Sequence, residues 1–215
     1  MLTLVLYASG LVLLAAPAVF AQFSLPNFGA VGSSKSDGAE GNESGQQDQL
    51  VRAYVAADKE VLTAQSLMAE AVGLKDRAAM LKSTAQALGD GATKGNLADA
   101  DKIQSEASKE ISARLNDKNL KMDANSKALY SSGLSSLGGS ILKYIGLRPL
   151  VTNFANTLKA SPMLALTKLS AGAYVVTSLP GNAKNVYETL SYTTAYAKNN
   201  DIPVPANATK ALSDF

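Results

Sequence analysis

The stretch LVRAYVAADKEVLTAQSLMAEA, Leu50–Ala71, decides the fold class. Within it Leu50, Tyr54, Ala57, Val61, Ala64, Met68 and Ala71 recur in strict alternation of four and three residues. That spacing returns side chains to one face of a helix and predicts a buried stripe. After one three-residue step the stripe resumes at Leu74, Ala78, Leu81, Ala85 and Leu88. The whole run makes a bundle or coiled-coil seam about eleven turns long. The register slips beside Gly73, so a bend or break is expected there. Many stripe positions are Ala, which lets neighbouring helices approach closely.

Gly89-Asp90-Gly91 ends this helix, because glycine readily takes the left-handed cap. Asn96 then reads as an N-cap, with Asp99 and Asp101 complementing the macrodipole. A second amphipathic helix carries Leu97, Ala100, Ile103, Ala107, Ile111 and Leu115. The Gly89–Gly95 loop is short enough to pair the two helices as an antiparallel hairpin. Asn116-Asp117-Lys118-Asn119 weakens or interrupts the second helix, and Met122 and Leu129 mark its resumption.

Charge divides the chain more sharply than its near-balanced total of 20 Lys+Arg against 18 Asp+Glu suggests. Residues 50–127 hold 12 basic and 11 acidic side chains, a densely charged hairpin. Residues 128–215 hold only 7 and 3, and form an apolar helical subregion reaching 212. There Tyr130, Leu134, Leu137, Ile141 and Ile145 make a helical stripe. Gly133, Gly138, Gly139 and a Ser132/Ser136/Ser140 row between them permit tight helix contact. Pro149 marks a boundary, and Leu150–Ala160 reads as a short helix. Ser161-Pro162 opens a nearly apolar helix, Met163–Leu179, which Pro180-Gly181-Asn182 is expected to stop. A further helix follows over Ala183–Lys198, and Asn207 is expected to cap a last turn. No strand pattern appears. The fold expected is all-α: an antiparallel helical bundle on a long hairpin, residues 50–215, preceded by a flexible leader.

That leader spans residues 22–49 and is polar and acidic, with Phe23, Leu25 and Phe28 its one apolar cluster. Before it, residues 1–21 are apolar and uncharged and end in Val19-Phe20-Ala21, a signal peptide cleaved near Ala21. The alternative is an uncleaved anchor, since about 20 apolar residues can span a bilayer. Either way the chain is expected outside the cytoplasm, in a bacterial periplasm or secreted.

The chain has no Cys, no His and no Trp. Disulfides, thiolate metal sites, a Cys nucleophile and a Ser-His-Asp triad are therefore excluded. No cofactor or metal site is expected, and a net charge of +2 offers no case for nucleic acid. Ser140-Ile141-Leu142-Lys143 matches S-x-x-K, but the companion motifs are missing, and Ser140 reads as a packing residue. Asp99, Asp101, Glu106 and Glu110 share a helix without a calcium-loop pattern, and read as a solvated face. Tyr174, Tyr187, Tyr192 and Tyr196 read as rings packed against helices with wet hydroxyls.

With no catalytic constellation, the expected function is that of an exported non-catalytic scaffold or adaptor acting through a protein partner. The heptad stripe would serve an intramolecular seam or a homo-oligomer alike. The alternative is a membrane-acting, pore-former-like protein inserting the apolar helix near 162–179. Phe23, Leu25, Phe28, Lys168, Tyr174 and Tyr187 are the candidate contacts with a partner or membrane.

Overall fold

The computed structural model describes residues 39–215. The expected signal peptide, the cluster Phe23, Leu25 and Phe28, and the expected leader up to residue 38 lie outside the described residues. Those described are all-α, with no strand among them. The helices are α1 (Ala39–Ala71), α2 (Lys75–Ala87), α3 (Lys94–Leu115), α4 (Ala124–Gly146), α5 (Arg148–Ala160), α6 (Met163–Leu166), α7 (Ser170–Asn199) and α8 (Ala206–Asp214).

α1 is the central helix because it carries two buried stripes, not one. Leu50, Tyr54, Ala57, Val61, Ala64 and Met68 are buried, and so is the adjacent row Val51, Val55, Asp58, Leu62, Gln65, Ala69 and Val72. A face this wide is covered by α2, α3, α4, α5 and α7 together. The chain turns at Gly73, as the register slip predicts. Gly73 takes φ +84°, its N–H bonds Glu70 O, and Leu74 N–H bonds Ala69 O. That pair of bonds is a Schellman motif, which closes the helix on a left-handed residue.

The hairpin differs from the sequence expectation. The turn at Gly73 folds α2 antiparallel onto α1: Ser66 Oγ reaches Ala78 O at 2.9 Å, and Lys59 Nζ reaches Leu88 O at 3.1 Å. The Gly89–Thr93 loop then brings α3 back parallel to α1, with Tyr54 opposite Asp101 and Val72 opposite Arg114. The reason is local: one left-handed glycine reverses the chain before the expected loop is reached. The α3 cap is also shifted. Thr93 is the N-cap, and Asn96 answers it from three residues on in a capping box.

α4 runs antiparallel to α1 and parallel to α8, in the close contact that its small residues predict. A Cβ on Gly133 would lie 2.9 Å from Ala64 O, and one on Gly138 would lie 2.7 Å from the Ala208 backbone. α5 closes the side of the bundle by setting Phe154, 1% exposed, against Gly172 of α7.

Four further expectations are corrected. First, the flexible leader gives way to helix from Ala39, because Gln46 and Gln47 dock it. Thr157 Oγ1 donates to Gln46 Oε1 at 2.6 Å, Gly172 N–H to Gln47 Oε1 at 3.1 Å, and Gln47 Nε2 to Lys168 O at 3.2 Å. Second, the apolar 163–179 segment is not one helix: it turns at 167–169 between α6 and α7. Third, Pro180 does not stop α7 but lies inside it. A helix-interior proline forfeits one hydrogen bond and costs about 3 kcal/mol. Buried Leu179, Ala183 and Val186 on both sides of it offset that cost. Fourth, Asn207 does not cap α8; its amide donates to Ser135 O at 2.7 Å on α4.

Candidate functional site

The polar groups of the interior converge where α1, α3, α4 and α7 meet. Asp58 on α1 and Asp101 on α3 are the two acids of this cluster. Asp58 is fully buried. Its Oδ1 accepts from Gln104 Nε2 and, at 3.1 Å, from Tyr144 OH, while Oδ2 has no hydrogen-bond partner. Asp101 Oδ1 accepts from Tyr54 OH at 2.8 Å. Its Oδ2 accepts from Asn182 Nδ2 at 2.6 Å and from Tyr174 OH. Asn182 also donates to Tyr54 OH at 2.7 Å, which ties the tyrosine to α7. The Tyr54 and Tyr144 rings lie 5.8 Å apart and so link the two carboxyl groups laterally.

A second arm extends from Gln65 on α1, whose Nε2 donates to Gln104 O at 3.1 Å and to Ser108 Oγ at 2.8 Å. Ser108 Oγ in turn lies 3.1 Å from Thr189 Oγ1 on α7. Beside this arm is a cavity of about 20 Å³ lined by Gln65, Asp101, Gln104, Ser108, Asn182 and Asn185. That volume admits one water-sized group with polar partners on several sides, and no organic substrate.

Burial governs the electrostatics. It pushes the Asp58 carboxyl up from 3.8 to about 7, helped by the negative charge of Asp101. The bonds from Gln104 and Tyr144 oppose that shift by favouring the carboxylate. Burial also raises Asp101, against the three bonds from Tyr174, Tyr54 and Asn182. Tyr54, Tyr144 and Tyr174 are raised above the usual phenol value, first by burial and then by the nearby carboxylates. These hydroxyls are therefore donors, not bases. Chemically the cluster can hold or release a proton at Asp58 near neutral pH.

Of the residues singled out from the sequence, Tyr174 joins the cluster through Asp101 instead of presenting a wet hydroxyl. Tyr187 stacks on Phe215, with ring centroids 4.5 Å apart. Tyr192 donates to Ser108 O at 2.9 Å, and Tyr196 packs by Tyr130. Lys168 stands exposed in the turn before α7, and its carbonyl accepts from Gln47. The four acids of α3 do not form one solvated face, because Asp101 turns inward and Glu106 and Glu110 pair with Arg77 of α2. Ser140 is buried and donates to Leu137 O at 2.7 Å, while Lys143 pairs with Glu60 at 2.7 Å. Among the described residues no group of three or more acidic side chains could hold a metal ion.

Sequence reasoning missed Asp58, Gln65, Gln104 and Asn182. A signal for the first two was present. They occupy two positions of the second apolar row of α1, where a polar residue must be buried. Asn182 was hidden because Pro180-Gly181-Asn182 reads as a stop.

No family model, no curated protein and no solved structure matches this chain.

Proposed function

We propose that the chain is an exported, non-catalytic helical protein that acts by binding another protein, as an envelope or periplasmic scaffold or adaptor. The observation that carries this reading is the fate of the interior polar groups. Apart from Asp58 Oδ2 and Gln65 Oε1, the carboxyl, amide and hydroxyl groups of the cluster bond one another around a cavity with room for one water. They join four helices and hold the bundle in one register, which is work for a rigid body that presents a surface. The mixed-charge exterior of α2 and α3 and the uncharged apolar N-terminal sequence agree with that role.

The test is fractionation followed by cross-linking of the full chain, tagged at its C-terminus, in a bacterial host. The expected result is an extracytoplasmic protein and a discrete cross-linked protein adduct. A chain confined to the cytoplasm, or one cross-linked to nothing but itself, would overturn the reading. Membrane action, the second reading, has its own observation at the α5–α6 corner.

A further inference from the structure

From Ala124 to Tyr187 the sequence contains Lys127, Lys143, Arg148, Lys159, Lys168 and Lys184, and not one acidic residue. α5 lies inside that stretch and is two-faced. Phe154 is buried, and Leu150, Val151 and Leu158 pack partly buried against the core. Arg148, Thr152, Asn156 and Lys159 are exposed. Arg148 and Lys159 are about three turns apart, so both point outward on one stripe. Just past that stripe Met163 is 86% exposed and Leu166 37% exposed. Met163 thus stands in water four residues beyond Lys159, and Leu166 is about a third exposed one turn further on.

We propose that this corner, the outward face of α5 with Met163 and Leu166, seats on an anionic lipid surface. An interfacial helix binds this way, with cations at the headgroups and apolar side chains pushed into the acyl boundary. Two features favour a lipid surface over an acidic protein. The corner offers flexible cations and a flexible thioether on a convex helix face. And residues 1–21 read as an export signal, which would route the chain across a membrane whose surface it then meets. The seating is peripheral: among the described residues no helix is long and apolar enough to cross a membrane. Gln46 brings the start of α1 alongside Thr157, and Glu43 and Asp48 belong to that flank, so the cationic face is bounded there. This inference does not rest on the scaffold reading, which concerns a protein partner.

The native chain has no cysteine, so Met163→Cys gives a unique attachment point for an environment-sensitive dye. The full-length variant is mixed with vesicles of phosphatidylcholine alone, or with about 30% phosphatidylglycerol, an anionic surface of the kind that attracts polybasic segments. A blue shift of the dye on the anionic vesicles is expected, with none on the neutral ones. A dye at Lys82→Cys, on exposed α2, should not shift. This placement separates seating at the corner from attachment through the N-terminal sequence alone. Adding Arg148→Gln and Lys159→Gln should weaken anionic binding about tenfold or more, since each cation near such a surface contributes about fivefold. Unchanged far-ultraviolet circular dichroism shows that the variants fold. A dye at residue 163 that stays wet on anionic vesicles would overturn the proposal. So would a shift of equal size on neutral vesicles, or binding indifferent to the two cations.

Discussion

Replacing Asp58 by Asn tests the electrostatic account of the interior directly. The carboxyl is fully buried, and burial raises it from 3.8 to about 7. Between those two values the folded chain holds a proton that the unfolded chain has lost. The sign follows from linkage: where the native state binds more protons, stability falls as pH rises. The contribution of Asp58 is therefore fully present below about pH 4 and is lost as pH rises through about 7. A rise from 3.8 to about 7 corresponds to roughly 4 kcal/mol, at about 1.4 kcal/mol per tenfold change in proton affinity. Asn cannot ionise, and its Oδ1 can still accept from Gln104 and Tyr144. Its amide nitrogen replaces Oδ2, which has no hydrogen-bond partner, so the protonated acid and the amide leave a similar donor unmet. Below about pH 4 the two chains should agree within about 1 kcal/mol, the size of one hydrogen bond, and near pH 5, where the unfolded carboxyl has already ionised, the variant should lead by roughly 1–2 kcal/mol. At pH 8 the variant should be more stable by roughly 2–4 kcal/mol. Urea unfolding from below about pH 4 to pH 8 measures both profiles. The native profile also contains Asp101, raised in the same direction, so the difference between the two chains reports Asp58 together with its coupling to Asp101. Parallel profiles over this range would refute the reasoning.

Other perturbations separate packing, backbone and charge effects. Gly138→Ala should destabilise by about 1–3 kcal/mol, because its Cβ would meet the Ala208 backbone at 2.7 Å and push α8 from α4. Gly73→Ala meets no atom within 4 Å and should cost only about 1 kcal/mol, from the φ of +84° alone; urea midpoints rank the two. Asn182→Ala should lose about 1–3 kcal/mol by removing a donor from both Asp101 and Tyr54. A loss as small as that of an exposed asparagine would show that the α7 contact is idle. Arg77→Ala should cost less than about 1 kcal/mol, because Glu106 and Glu110 keep side-chain exposures of 44% and 42% and are screened by water. Thermal melts at low and high salt check it.

Much of the fold was legible because hydrophobic periodicity is a local property. The stripe from Leu50 to Leu88 marks two helices and even the slip at Gly73, where a left-handed glycine closes α1. The glycine row of α4 likewise predicted close approach, since a missing Cβ has one physical consequence. Direction was not legible. Whether the strong turn of the first hairpin falls at Gly73 or at Gly89 depends on which surface covers α1, and two stripes of α1 needed covering.

The cluster of Asp58 and Asp101 was less legible still. A sequence shows a carboxylate on a helix, but its burial is fixed by partners far along the chain: Tyr144 for Asp58, and Tyr174 and Asn182 for Asp101. Pro180 hid Asn182, because a proline read locally ends a helix, whereas packing on both sides carries α7 through it. By itself the sequence determined the all-α class, the acid-free stretch around α5 and the absence of cysteine and histidine chemistry. Tertiary structure alone decided which polar side chains are withdrawn from water, and so which acid holds its proton near neutral pH. Periodicity is written in neighbouring residues, while desolvation is set by whatever the fold brings opposite.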